Sequence, residues 1–211
     1  MSRMRLRLLR DGDARALAFT EYVQALHHAV GRAGLPVARG KHKYRLTPGP
    51  PLAQGQCSRC EYVDFELEDA ITGIAFLKAF SPHLPPGVQA VSARRLPVDA
   101  PHLRAAVMGF VYAVHASLDA QKADEFRQRA EWPFSRDRQG RIQNFDLKRS
   151  VARLMTGPIE TRMHVRVLPE GTPKPQEVIA SIFDLSMETV ERLTMVRIWV
   201  QLIPVRFASH E

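Results

Sequence analysis

GLPVARGKHKYRLTPGPPLAQGQCSRCEYVDFEL, Gly34 to Leu67, is the stretch on which the fold turns. At its end, Val63, Phe65 and Leu67 alternate with Tyr62, Asp64 and Glu66. Such alternation marks a strand with one face toward a core. The first part reads otherwise. It holds Pro36, Pro48, Pro50 and Pro51, the cysteines Cys57 and Cys60, and the basic run Arg39, Lys41, Lys43 and Arg45 around His42. No acidic residue occurs between Glu21 and Glu61. A segment so basic and turn-rich belongs on the surface. If part of 37–47 nonetheless pairs with the strand that follows, the first half takes a split β-α-β order.

Working outward toward the N-terminus, Met4, Leu6 and Leu8 alternate with Arg3, Arg5 and Arg7, which reads as another half-buried strand. Asp11-Gly12-Asp13 supplies a turn. Ala18, Tyr22, Ala25, Leu26, Ala29, Val30 and Ala33 then fall at helical spacing, and Gly34 with Pro36 stops the helix. In a split β-α-β sheet the first and third strands are neighbours, so Asp64 and Glu66 are expected beside the arginines as cross-strand partners. On the other side, Asp69 is the expected N-cap of a helix bearing Ile71, Ile74, Leu77 and Phe80, and Val88 to Leu96 reads as a strand.

Pro97 to Pro101 is a candidate linker. Beyond it, Val107 to Leu118 reads as a buried strand, Lys122 to Trp132 as a helix on Ala123, Phe126 and Ala130, and Pro133 to Gly140 as a polar loop. Arg141 to Leu154 fits either a strand or a helical turn. Thr161, Met163, Val165 and Val167 alternate with Arg162, His164 and Arg166. Pro175 suits the first turn of a helix, Ser186 a cap, and Met195 to Ile203 a last strand. The second half repeats the order of the first. The expected fold class is α+β: two tandem ferredoxin-like (split β-α-β) modules with antiparallel sheets, at 1–97 and 102–211.

The 211 residues carry 30 Lys and Arg against 22 Asp and Glu, a formal charge of +8. With a sequence pI near 10.0, the chain suits contact with a polyanion such as RNA. No apolar run reaches the ~18 residues of a membrane-spanning helix. The basic start MSRMRLRLLRDGD breaks off before any signal-peptide core. A cytoplasmic protein with reduced thiols and no membrane partner is expected.

Several stretches resemble the radical SAM-linked protein family, a domain of unknown function found beside or fused behind radical SAM proteins. AVGRAGLPVA, Ala29 to Ala38, is similar to its RRAGLP signature. PGPPLAQG and EYVDFEL, Pro48 to Gly55 and Glu61 to Leu67, match its glycine-proline loop and the strand after it. NFDLKRSV, Asn144 to Val151, and GTPKPQEVIASIFDL, Gly171 to Leu185, resemble two later segments in the same order. The chain departs from that family at polar positions. Ala18-Phe19-Thr20-Glu21 stands where a Ser-His-Leu-Asp run is usual, and Lys41-His42-Lys43-Tyr44-Arg45 where an Asn-Pro-His-Pro-Lys loop is usual. The resemblance thus describes a diverged member and implies a radical SAM protein as partner.

Cys57-Ser-Arg-Cys60 has the spacing of half a zinc site or of a redox pair, but no second cysteine pair exists. The two are weak metal candidates, and no cofactor is expected. Two cysteines also cannot hold the three-cysteine radical SAM cluster. The basic loop supplies better chemistry. Arg39, Lys41, His42, Lys43 and Arg45 are the expected phosphate contacts, left without local acidic partners, and Tyr44 the expected stacking platform. Arg162, His164 and Arg166, next to no obvious acidic strand, are a second candidate set. His27 and His28, adjacent on a helix, are expected not to face one ligand. His115 is expected in the core or a sheet. No catalytic triad or nucleotide loop emerges. The reading is an accessory, non-catalytic RNA-associated protein. The alternatives are an adaptor docking to a radical SAM enzyme, and an RNA-processing enzyme with His42 as acid or base.

Overall fold

The computed structural model describes residues 2–205, and at Arg138 the backbone alone. It is a mixed α+β fold whose described strand pairs are antiparallel. The chain forms two compact units, one of residues up to Val107 together with those from Leu202, the other Met108–Gln201. Among the described residues, no helix is long and apolar enough to cross a membrane.

The first unit runs β1 (Ser2–Arg10), α1 (Phe19–Ala33), β2 (Leu46–Pro48), β3 (Cys57–Leu67), α2 (Gly73–Phe80), β4 (Val88–Leu96) and α3 (Leu103–Ala106). Its strands lie in the order β4-β1-β3, with β2 against β3. Alternation dictates what each face holds. Met4, Leu6, Leu8, Val63 and Phe65 are fully buried on one face, under Leu26, Ala29 and Val30 of α1 and Phe76 and Phe80 of α2. The rings of Phe65, Phe76 and Phe80 meet at centroid distances of 5.3 to 5.6 Å, the spacing of favourable edge contacts.

On the opposite face Arg5 lies across from Asp64 in the β1–β3 register, and Arg3 across from Glu66. The Arg5 guanidinium donates to both Asp64 carboxylate oxygens, at 2.7 and 2.8 Å. Both side chains are buried, and Arg3 also donates to the Pro101 carbonyl at 3.3 Å. Arg3 and Arg5 of the β1 row are thus engaged with Asp64 and nearby carbonyls, whereas Glu66 is taken by Arg45, and the Arg7 Nε is buried with no hydrogen-bond partner among the described residues.

The second strand is interrupted. Val37 bridges Leu67, and the Ala38 N–H donates to the Glu66 carbonyl at 2.8 Å. Seven residues later the chain returns, and Leu46 to Pro48 pair with Phe65 to Val63. Between the two stubs the basic run leaves the sheet. Part of 37–47 does pair, as the split order needs, but the middle of that span does not.

Turn chemistry fixes the remaining joints. Gly34 takes a left-handed φ of 59° and its N–H returns to the Val30 and Gly31 carbonyls, ending α1. Gly87, at φ 80°, accepts a hydrogen bond from the Asp11 N–H at 2.8 Å, and a Cβ there would lie 2.2 Å from the Asp11 carbonyl oxygen. Two expectations for α2 fail. Its N-cap is Thr72, whose hydroxyl accepts from the Ala75 N–H at 3.2 Å, not Asp69. Ile74 is 83% exposed, because a helix starting at Gly73 turns Phe76 and Phe80 inward instead.

The second unit comprises β5 (Val107–Val114), α4 (Ala120–Gln128), β6 (Pro133–Arg138), β7 (Arg141–Asp146), α5 (Leu147–Ser150), β8 (Val151–Met155), β9 (Thr161–Arg166), α6 (Pro175–Phe183), α7 (Met187–Glu191) and β10 (Met195–Leu202). Its main strands lie in the order β10-β5-β9-β8. Val178, Ile179, Ile182 and Phe183 of α6 are buried, and Pro175 opens that helix. Ser186 caps α7 through the Thr189 N–H. The stretch expected as a polar loop is instead a two-stranded hairpin, with β6 paired to β7. Its turn is Gln139-Gly140, at φ 56° and 80°, the left-handed pair that suits the twist of a tight hairpin.

Candidate functional site

The basic run is a tight hairpin. Arg39 bridges Tyr44, the Gly40 N–H donates to the Lys43 carbonyl at 2.7 Å, and the Arg45 N–H to the Ala38 carbonyl at 2.7 Å. Lys41 and His42 therefore stand at its tip, carried on the two stubs of the second strand. The ring of Tyr44 sets the hairpin against α1: a Cβ on Gly31 would lie 3.4 Å from the Tyr44 hydroxyl. The Arg39 guanidinium lies over the same ring, 4.8 Å from its centroid, and donates to the Tyr44 hydroxyl at 2.8 Å. A base stacking here would meet the guanidinium plane as readily as the ring.

Hairpin and helix enclose a cleft of about 870 Å³. From α1 it takes Phe19, Val23 and His27, each four residues apart, and beside them Thr20, Gln24 and His28. Two neighbouring helical stripes thus face it, so both histidines line one space although they point apart by ~100°. Arg39, Gly40, Lys41, His42, Lys43 and Tyr44 form the hairpin side, with Pro48 and Arg104 completing the lining. Among the described residues, no carboxylate lines it.

The cations differ in how they are held. Arg45 turns away to Glu66, 3.2 Å distant on β3, and the Arg39 backbone N–H donates to Glu68 at 3.3 Å. The run is therefore not without acidic neighbours, because β3 brings Glu66 and Glu68 to its base. Lys41 and Lys43 make no ion pair among the described residues and stand exposed. His27 has a proton affinity below that of an ordinary histidine. Burial is the main cause, followed by repulsion from Lys43 and His28. Its Nδ1 is buried with no hydrogen-bond partner among the described residues.

The other expected residues lie apart from this cleft. Arg162, His164 and Arg166 share one face of β9 in the second unit, with Arg153 of β8 in register opposite His164. Arg162 is paired with Glu160 at 2.5 Å, so an acid does stand beside this set. Arg166 donates to the Arg149 carbonyl at 3.1 Å. His164 Nε2 is buried without a hydrogen-bond partner among the described residues, above Gly109, where a Cβ would lie 2.9 Å away. His115 is half exposed, 3.8 Å from Glu160, rather than in the core.

Cys57 and Cys60 are buried at the start of β3 and form no disulfide. The Cys57 thiol donates to Asp11 at 3.1 Å; burial, then that carboxylate, push its pKa up. A thiol so placed is a weak nucleophile. Among the described residues, no cluster of three His, Cys, Asp or Glu side chains is close enough to hold a metal.

Sequence reasoning set His27 and His28 aside and did not single out Gln24 or Arg104. The signal available was the paired spacing of residues 19, 23 and 27 with 20, 24 and 28 along α1, which the apolar stripe overshadowed. Comparison with known proteins adds one finding. No curated protein matches the chain in sequence. The model of a family described as an uncharacterized protein conserved in bacteria (DUF2344) matches residues 3–175, well over half the chain, and the chain belongs to that family.

Proposed function

We propose that this protein is a non-catalytic accessory factor that binds RNA through the cleft between α1 and the basic hairpin, in partnership with a radical SAM enzyme in the cytoplasm. The observation that carries the reading is the lining. Arg39, Lys41, Lys43 and Arg104 converge with His27, His28 and His42, and among the described residues no acidic side chain lines the space. Such a field attracts polyanions and releases their counterions on contact. Phe19 and the Arg39–Tyr44 stack offer flat surfaces for bases. Arg162, His164 and Arg166 on β9 are a second candidate contact, carried by the other unit. The radical SAM partnership rests on the resemblance of the segments at Ala29, Pro48, Asn144 and Gly171.

We further read each unit as a ferredoxin-like module. With the separate β6–β7 hairpin set aside and strands renumbered within each unit, each order runs fourth strand, first, third, with the second against the third. That is the arrangement of a split β-α-β domain.

The test is filter retention of a single-stranded RNA across a salt series. Affinity is expected to fall steeply as salt rises. Reversing Lys41 and Lys43 to Glu is expected to flatten the logarithmic salt slope by about 1.4, the share of two phosphate contacts on a single strand. Absence of retention at low salt, or a slope unmoved by the reversal, would overturn the reading.

A further inference from the structure

The cleft is small for a strand passing through and rich in charge for its size. Its ~870 Å³ lies within the range of roughly 300–1,000 Å³ typical of pockets for single small ligands. Its permanent cations come from both the hairpin and α3, with Arg104 on the latter. An internal nucleotide brings one negative charge per phosphodiester. A terminal phosphate brings about 1.5 to 2, with three strong acceptor oxygens.

The histidines sharpen the choice. A phosphomonoester loses its second proton near pH ~6, close to the ~6.5 of an ordinary imidazole. The two groups therefore share a proton readily, which a diester cannot do. Lys43 and His28 repel a proton from His27, and an anion between them would cancel that repulsion. Gln24 and Thr20 stand next to His28 on the same stripe, ready to hydrogen-bond a sugar or a base edge. Phe19 and Val23 provide the apolar wall that a base would cover.

We propose that the cleft is a receptor for a phosphomonoester, the phosphorylated end of a nucleotide or of an RNA strand, rather than for internal backbone. This deepens the RNA-binding reading and rests on it for the choice of a nucleotide as the phosphate's carrier. Within the cleft, Lys43, Arg104 and His27 hold the phosphate, and Lys41 and His42 at the hairpin tip close over it.

The experiment compares one short RNA in three forms, bearing a 5′-phosphate, a 3′-phosphate or hydroxyls at both ends, by fluorescence anisotropy on the full chain. AMP and inorganic phosphate serve as competitors. One phosphorylated form is expected to bind about tenfold more tightly than the unphosphorylated one, the worth of one or two charge-assisted hydrogen bonds. Arg104→Gln, an exposed change, is expected to erase that preference while circular dichroism and thermal midpoint stay unchanged. Equal binding of all three forms with steep salt dependence would overturn the end-receptor and leave RNA binding standing. Binding of AMP or phosphate without any RNA would uphold the receptor, identify a free nucleotide as its source, and overturn the RNA reading. Binding of none of the probes would overturn both. An end-phosphate preference that survives in Arg104→Gln would also count against this cleft.

Discussion

At the scale of the residue, Asp64 is the charge on which the first unit most depends. It is 4% exposed, and its carboxylate receives both arms of the Arg5 guanidinium. Removing one partner of a buried pair strands the other charge, which costs about 3–5 kcal/mol, whereas replacing both with apolar groups is close to neutral. Asp64→Ala is therefore expected to lose that much stability in urea unfolding, and Arg5→Met with Asp64→Leu to recover most of it. An Asp64→Ala protein within ~1 kcal/mol of the parent would sink this account. Alternation and strand order made the facing rows legible, with Asp64 and Glu66 beside the β1 arginines, but the register that sets Asp64 against Arg5 is read only from the structure. His27 and Arg104 were not legible as site residues. Their shared cleft depends on a hairpin folding back over α1 and on a helix far along the chain, and neither leaves a local pattern.

At the scale of the element, the hairpin from Arg39 to Tyr44 is an excursion from a strand whose two stubs are bonded separately to β3. Since Arg39 and Tyr44 already face each other as a bridge, replacing Gly40 to Lys43 with the two-residue turn Asn-Gly should close the strand path without strain. The shortened protein is expected to keep its circular dichroism spectrum and a thermal midpoint within a few degrees of the parent, yet to lose RNA retention at low salt. Loss of the fold instead would show that the hairpin belongs to the core. The strands β1, β3, β4 and β9 and helix α1 were readable because half-buried elements must alternate or follow helical spacing. The β6–β7 hairpin was not. It is mostly exposed, so little apolar packing crosses it: the Phe134 and Phe145 rings lie 6.2 Å apart, with Arg136 over Phe145. Its turn also uses Gln139-Gly140 rather than the more recognisable Asn-Gly. Asp69 misled for a related reason: any short polar residue ahead of a helix looks like a cap, and Thr72 lay closer.

At the scale of the whole molecule, the chain holds several acidic protons more tightly folded than unfolded. Burial, then the nearby Glu61, push the Tyr22 phenol up. Burial, then Cys60, push Tyr62 from 10.0 to about 12, and Cys57 lies above its ordinary 9.0. Above those ordinary values the unfolded chain releases protons that the folded chain keeps, so stability falls as pH rises through 9.0 and 10.0 toward the folded values. The thermal midpoint is expected to be flat near neutrality and to decline from about pH 9 upward, with midpoints in a calorimetric pH series as the check. A midpoint that holds to pH ~11 would refute the assignment. The sequence offered a repeated order of elements; the strand orders β4-β1-β3 and β10-β5-β9 come from the structure. What the order could not disclose was the break in the second strand. That break makes the basic hairpin a cassette. Its ends are fixed by main-chain bonds that any sequence can make, so its contents are free to change while the frame stays put. Residues 40–43 can thereby be exchanged for others with no cost to the core beneath.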